Sequence, residues 1–317
     1  MIAFIFPGQG SQKVGMGKAL VDAFPEARHV FDEADVAFAS AGAQGTSLSG
    51  VCFTGPEDQL MLTEHTQPAI LTMSVAAARV LKAHGVEPAV VAGHSLGEYS
   101  ANVVAGTFRF RDTVEIVRRR GRYMQEAVPV GTGAMAAVLG LSEEGVRRAC
   151  EEAAQGEIVS PANINSADQI VIAGATAAVQ RASERAKALG AKRVVGLPVS
   201  APFHCALMKP AEERLEPELR ALSVRDPRVP IVANVDAQPK TGAQAAIDAL
   251  VRQVSAPVLW AAVVNRLASM GVTTYVEVGP GKVLGVLVKK IHKGARVFSF
   301  SEPADLESLL RDVQSVG

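Results

Sequence analysis

The chain has no excess charge to offer a polyanion. Its 32 lysines and arginines are matched by 32 aspartates and glutamates, which removes the usual electrostatic case for nucleic acid or an anionic membrane. Cysteine is scarce: Cys52, Cys150 and Cys205 are widely spaced, form no metal-ligand pattern and fit a reducing compartment. No metal is expected. Long apolar runs are missing as well. MIAFIFPGQG has no basic flank and breaks at Pro7-Gly8, so it reads as a first strand and not as a signal peptide. The most apolar helical stretch, PAILTMSVAAARVLKAHG, carries Arg79 and Lys82 and falls short of a membrane span. A cytoplasmic protein with no membrane and no nucleic acid partner is the expectation.

What is present is core-forming sequence. With 48% hydrophobic residues in 317, the chain can fill one large α/β domain and a smaller one. Short apolar runs at 2–6, 89–93, 230–234 and 273–279 read as strands. They alternate with helical patterns at 16–23, 25–39, 67–84, 96–105, 111–127, 207–221, 243–253 and 258–270. That alternation predicts a mostly parallel sheet wrapped by helices. TQPAI places Pro68 in the first turn of the helix at 67–84, where a proline forfeits no hydrogen bond. Between 128 and 198 the order becomes β-α-β-β-α-β, the ferredoxin-like pattern. We therefore expect an inserted small domain at 128–198, with the large domain formed by 1–127 and 199–317. Residues 40–51 read as a surface loop.

GHSLG (93–97) fits the G-x-S-x-G nucleophile elbow, in which a strand ends at the serine and a helix starts just after it. The alternative is a glycine-flanked turn with a solvent-facing serine. The first free N–H groups of the new helix, beginning with that of Leu96, would face charge developing near Ser95. A serine nucleophile needs a base. His29, His65 and His84 fall on helix surfaces or ends, His292 sits among lysines, and His94 adjoins the serine and points away from it. His204 remains, in LPVSAPFHCAL, a rigid extended loop set by Pro198 and Pro202. On the residues alone it is a base or a buried, hydrogen-bonded histidine.

The run RRRGR (118–122), laid on a helix, places Arg118, Arg119 and Arg122 in water. Arg120 falls at the edge of the apolar arc. An inward guanidinium must be paired, because it cannot shed its charge. It serves either an internal salt bridge or a fork for a substrate carboxylate. PGQGSQKVG lacks the third glycine of a dinucleotide fingerprint, and VGPGKVLG lacks the spacing and Ser/Thr of a P-loop. Both read as strand-to-helix turns with free backbone N–H groups. Those of 7–12 could complete an oxyanion hole if that turn lies beside Ser95.

FPGQGSQ, TQPAI, GHSLGEYSA, RGRYMQEAVP, PANINS, SAPFH, QVSAPVLW and VEVGPGKVL occur in this order across essentially the whole chain. Together they resemble the malonyl-CoA:acyl carrier protein transacylases of dissociated fatty acid synthesis. The resemblance implies an α/β-hydrolase-like domain with a ferredoxin-like insertion. It also implies Ser95 as the acylated nucleophile, His204 as its base and Arg120 as the partner of the malonyl carboxylate. By the same resemblance Gln9 and Leu96 supply oxyanion-hole N–H groups, and the main-chain carbonyl of Gln253 orients the histidine without an acid. Asn163 and Phe203 are further candidate substrate contacts. Malonyl-CoA and acyl carrier protein are the implied partners of a monomer that needs no cofactor. Two rivals stand beside this. One is an esterase or thioesterase with Asp236 as its acid. The other is a non-catalytic carrier-protein binder using Arg118, Arg119 and the lysines at 289–293. Supply of a polyketide synthase is a variant of the transferase reading.

Overall fold

The computed structural model describes residues 1–42, 45–199 and 201–314. The ends of the chain at 315–317, part of the expected 40–51 loop, and Ser200 of the SAPFH stretch lie outside the described residues. The described strands are β1 (Ile2–Phe6), β2 (Val90–Gly93), β3 (Gly133–Leu139), β4 (Val159–Ser166), β5 (Gln169–Ala175), β6 (Arg193–Gly196), β7 (Ile231–Val232), β8 (Pro239–Lys240), β9 (Thr274–Val278) and β10 (Arg296–Phe300).

Strand β1 shows why the first sheet is covered on both sides. Phe4 and Phe6 enter one apolar cluster with Ile70, Leu71 and Tyr99, while Ala3 and Ile5 enter another with Trp260, Val263 and Tyr275. A strand with no polar face needs helices above and below, the condition of a parallel sheet. The order is β10-β9-β1-β2-β7-β8, parallel throughout except for the β7–β8 edge. The second sheet is antiparallel, in the order β4-β5-β3-β6. The helices Glu143–Ala154 and Thr176–Ala188 cover one of its faces with Val146, Ala149, Val179 and Ala182. Both the mostly parallel sheet and the βαββαβ pattern are as expected. Strand β4 is tied to the large domain at Val258, ahead of the helix Trp260–Ser269, where Ile164 N–H donates to Val258 O (2.8 Å) and Val258 N–H donates to Ala162 O (2.9 Å).

Two expectations are corrected. Residues 48–51 are not loop but the start of a helix, Leu48–Thr54, capped by the Ser47 hydroxyl, which accepts from Gly50 N–H. Leu48, Val51 and Cys52 bury its inner face. Pro68 lies inside a longer helix, Thr63–Ala83, and not in its first turn. The turn ahead of it is held by other means, since His65 and Thr66 both donate to Leu62 O (2.8 Å each) and the Thr66 hydroxyl donates to Leu60 O (2.6 Å). That turn also packs on Gly121 of the helix Phe110–Glu126, where a β-carbon would sit 2.6 Å from Thr63 O. Tertiary contacts thus compensate the lost hydrogen bond. Elements not anticipated are β8, β10 and the helices Glu57–Met61 and Pro303–Gln314, while the helix Val283–Ile291 follows the strand-to-helix turn read at 278–285. No described helix is long and apolar enough to cross a membrane.

Candidate active site

Ser95 stands between β2 and the helix Gly97–Ala105, with φ 52°. A non-glycine residue in this left-handed region is strained, and such strain persists only where the surroundings enforce it. Gly97 is part of the enforcement: a β-carbon there would sit 2.0 Å from Phe6 O and 3.0 Å from Pro7 O. The turn after β1 is therefore pressed against the start of this helix, which sets the Gln9 loop beside Ser95. Among the described residues no acceptor takes the N–H of Gln9 or of Leu96. Two free donors on adjacent turns are what an oxyanion hole requires.

His204 also has positive φ, 61°. Its Nε2 lies 2.7 Å from Ser95 Oγ and its Nδ1 3.0 Å from the main-chain oxygen of Gln253. A carbonyl only accepts, so Nδ1 carries the proton and Nε2 is left as the acceptor for the Ser95 hydroxyl. Burial, and after it the charge of Arg120, pushes the imidazole down to about 3. The ring is therefore neutral at ordinary pH, with Nε2 open as an acceptor. Asp236 is elsewhere, paired with Lys240 (2.7 Å) and Arg252 (3.2 Å). His94 turns away to Asn165 Oδ1 (2.9 Å) and packs on Trp260.

Arg120 is 1% exposed. Its Nη1 donates to Gln67 Oε1 (2.8 Å), and its Nη2 to Gln253 Oε1 (2.9 Å) and Ser95 Oγ (3.2 Å). Each of these acceptors is a neutral oxygen, and Nε has no partner. The internal salt bridge weighed above is thus replaced by two amides and the serine itself. A guanidinium held this way beside the hydroxyl suits a carboxylate carried on an acyl group at Ser95.

Beneath these groups lies a polar layer missing from the sequence reading. Asn234 Oδ1 accepts the Ser95 N–H (2.8 Å), and its Nδ2 donates to Gly93 O (2.7 Å). Glu98 Oε2 accepts from Asn234 N–H (3.0 Å) and from Gln253 Nε2 (2.8 Å). Gln253 therefore works at both ends, its main chain on His204 and its amide on Arg120. The one available signal was polarity out of place. Glu98 follows Ser95 by three residues, as an acid just inside the helix after the elbow, and Asn234 ends the apolar run 230–234.

The remaining candidates fall as follows. Phe203 is buried in the main core beside the histidine. Asn163, on β4 beside Val258, keeps a buried Oδ1 without a partner. The Cys205 thiol, pushed up to about 11 by burial, is unreactive. Three surface assignments are corrected. His65 is buried, with Nδ1 on Gln59 O (2.9 Å). Arg118 is not in water: it bonds Ala41 O, pairs with Glu64 (3.1 Å) and lies over the Phe38 ring. The VGPGKVLG turn is not free, because the buried Glu277 carboxylate accepts from Leu284 N–H (3.1 Å) and Gly285 N–H (2.7 Å).

Comparison with known proteins shows the family to which the chain belongs. The malonyl CoA-acyl carrier protein transacylase of Escherichia coli K12 is 49% identical over 309 residues, covering 97% of this chain and 98% of that one. The crystal structure of an acyl carrier protein S-malonyltransferase from Vibrio cholerae superposes with a TM-score of 0.93 at 45% identity, over 97% of this chain and 99% of the other. A solved complex of a type II polyketide-synthase acyl carrier protein with its malonyl-transacylase matches with a TM-score of 0.94 at 45% identity, over 98% and 99%. The acyl transferase domain family matches residues 3–306, so a strained serine, a carbonyl-oriented histidine and an inward arginine are carried by a chain that belongs to that family.

Proposed function

We propose that this acyltransferase moves a malonyl group from malonyl-CoA to the pantetheine thiol of an acyl carrier protein through an ester on Ser95. The observation that carries this reading is Arg120, buried, held by neutral oxygens and within 3.2 Å of the Ser95 hydroxyl. His204 Nε2 takes the Ser95 proton as Oγ attacks the thioester carbonyl. The resulting oxyanion is held by the N–H groups of Gln9 and Leu96, each worth about 3 kcal/mol in such sites. Collapse breaks the C–S bond, and coenzyme A leaves with the proton from His204. The carrier thiol then gives its proton to the same nitrogen and attacks the ester carbonyl; collapse breaks the C–Oγ bond, His204 returns the proton to Ser95, and the carrier leaves with the malonyl group. Arg120 binds the malonyl carboxylate through both halves. Residues 1–127 with 199–317 supply these groups, and 128–198 forms the small domain that carries Asn163. No cofactor is needed.

A hydrolase is disfavoured by the missing acid, since His204 Nδ1 faces a carbonyl and Asp236 is tied elsewhere. A polyketide carrier is a second recipient, favoured by the solved complex described above. Incubation with labelled malonyl-CoA tests the proposal. Stable label on Ser95 that moves to added carrier protein supports transfer. Rapid release of free malonate indicates hydrolysis, and absence of label leaves only a binding module.

A further inference from the structure

Glu98 is a buried acid, 1% exposed, to which the reaction above gives no task. It stands on the first turn of the helix Gly97–Ala105, three residues beyond the serine. Its Oε2 receives two donors, Asn234 N–H at 3.0 Å and Gln253 Nε2–H at 2.8 Å, an arrangement that suits an ionised carboxylate. The same Gln253 amide gives its oxygen to Arg120 at 2.9 Å. A single planar amide thus stands between a buried carboxylate and a buried guanidinium. Arg120 keeps its charge when desolvated and touches only neutral oxygens, so it needs a counter-charge close by. Glu98 and Arg120 each lie within the other's field. Burial, joined by the charge of Asp236, pushes the Glu98 carboxyl up to about 7, while its bonds from Gln253 and Asn234, and the charge of Arg120, pull the other way.

We propose that Glu98 is the resting counter-charge of Arg120, held one amide away so that it offsets the guanidinium without occupying its donors. The acyl carboxylate then enters as a second anion near one cation. Its hold is weaker than a bare buried arginine would impose, which lets the acyl group pass on to the next thiol. Glu98 touches no substrate and acts through Gln253 as a positioning and tuning residue. The inference rests on the reading of Arg120 as the carboxylate partner.

The test compares Glu98→Gln, which keeps an acceptor and removes the charge, with the parent. Equilibrium binding of malonyl-CoA and acetyl-CoA is measured calorimetrically at about pH 8, where the free carboxylate form prevails, in a Ser95→Ala background that stops chemistry. The expected result is malonyl-CoA bound about three- to tenfold more tightly, with acetyl-CoA unmoved. With Ser95 intact, the same change should lower KM for malonyl-CoA and slow delivery to the carrier. Glu98→Asp, which keeps the charge, must not tighten malonyl-CoA binding. Unchanged malonyl-CoA binding, equal weakening of both ligands, or a Glu98→Gln protein that does not fold would each overturn the proposal. The last two would assign the carboxylate a purely structural role. If the parent itself does not prefer malonyl-CoA, or Arg120→Ala leaves that preference intact, the functional reading fails first. Failure confined to Glu98→Gln removes this inference alone.

Discussion

The two sheets of this molecule keep their charges in different places. On the antiparallel sheet the charges stand in solvent, as in Arg147–Glu143 (2.5 Å), Arg148–Glu152 (2.8 Å) and Arg181–Glu157 (2.8 Å), all on partly or largely exposed side chains. Beside the parallel sheet, Glu98, Arg120, His204, Asn234 and Gln253 are all buried. Polar groups in the second setting cost free energy unless every one finds a partner. An exposed pair contributes about 0–1 kcal/mol and is easily replaced. The interior of one sheet therefore carries an arrangement that stability alone would not favour, and that marks it as the place of chemistry.

Breaking the buried set should have the largest effect. Ser95→Ala should lower acyl transfer by at least about 10³-fold in a single-turnover assay and leave no label on the protein. A smaller effect concerns pH. Because burial and Arg120 lower the His204 pKa to about 3, the ring should remain an effective base as pH falls. In a Glu98→Gln background, which removes the buried carboxyl that titrates near 7, the acylation rate should stay flat from about pH 7.5 to about pH 5, with no acid limb near the ordinary histidine value. The sign for stability follows. The unfolded imidazole takes up a proton below about 6.5 and the folded one does not, so the contribution is complete above that pH and declines as pH falls toward 3. An acid limb near 6.5 would show a solvated ring. Smallest of all, Arg147→Ala on the antiparallel sheet should leave both the melting temperature and the transfer rate unmoved. A measurable loss would erase the contrast between the two sheets.

How much of this was legible in the sequence follows from the same contrast. Period and breakers are local, so the βαββαβ order and most strands could be read directly. Pro68 misled because its helix starts earlier, held by Thr66 and by packing on Gly121 far along the chain. Ser95 was legible because an elbow is a local motif. His204 emerged by elimination among six histidines. Arg120 could be placed at the edge of an apolar face, but its partners could not be read. Gln67, Gln253 and the serine reach it from three separate elements, and only the fold brings them together. The Glu98–Asn234–Gln253 layer could not be assembled for the same reason, being a set of long-range hydrogen bonds between residues common in any chain.

The most direct measurement is kcat/KM for malonyl-CoA and for acetyl-CoA with the parent protein and with Arg120→Ala. The parent should favour malonyl-CoA strongly. The variant should lose roughly 10²-fold on malonyl-CoA while acetyl-CoA is spared, as expected when a buried charged partner of the substrate is removed. An unchanged ratio would contradict the carboxylate role of Arg120 and with it the assignment of a malonyl group to Ser95.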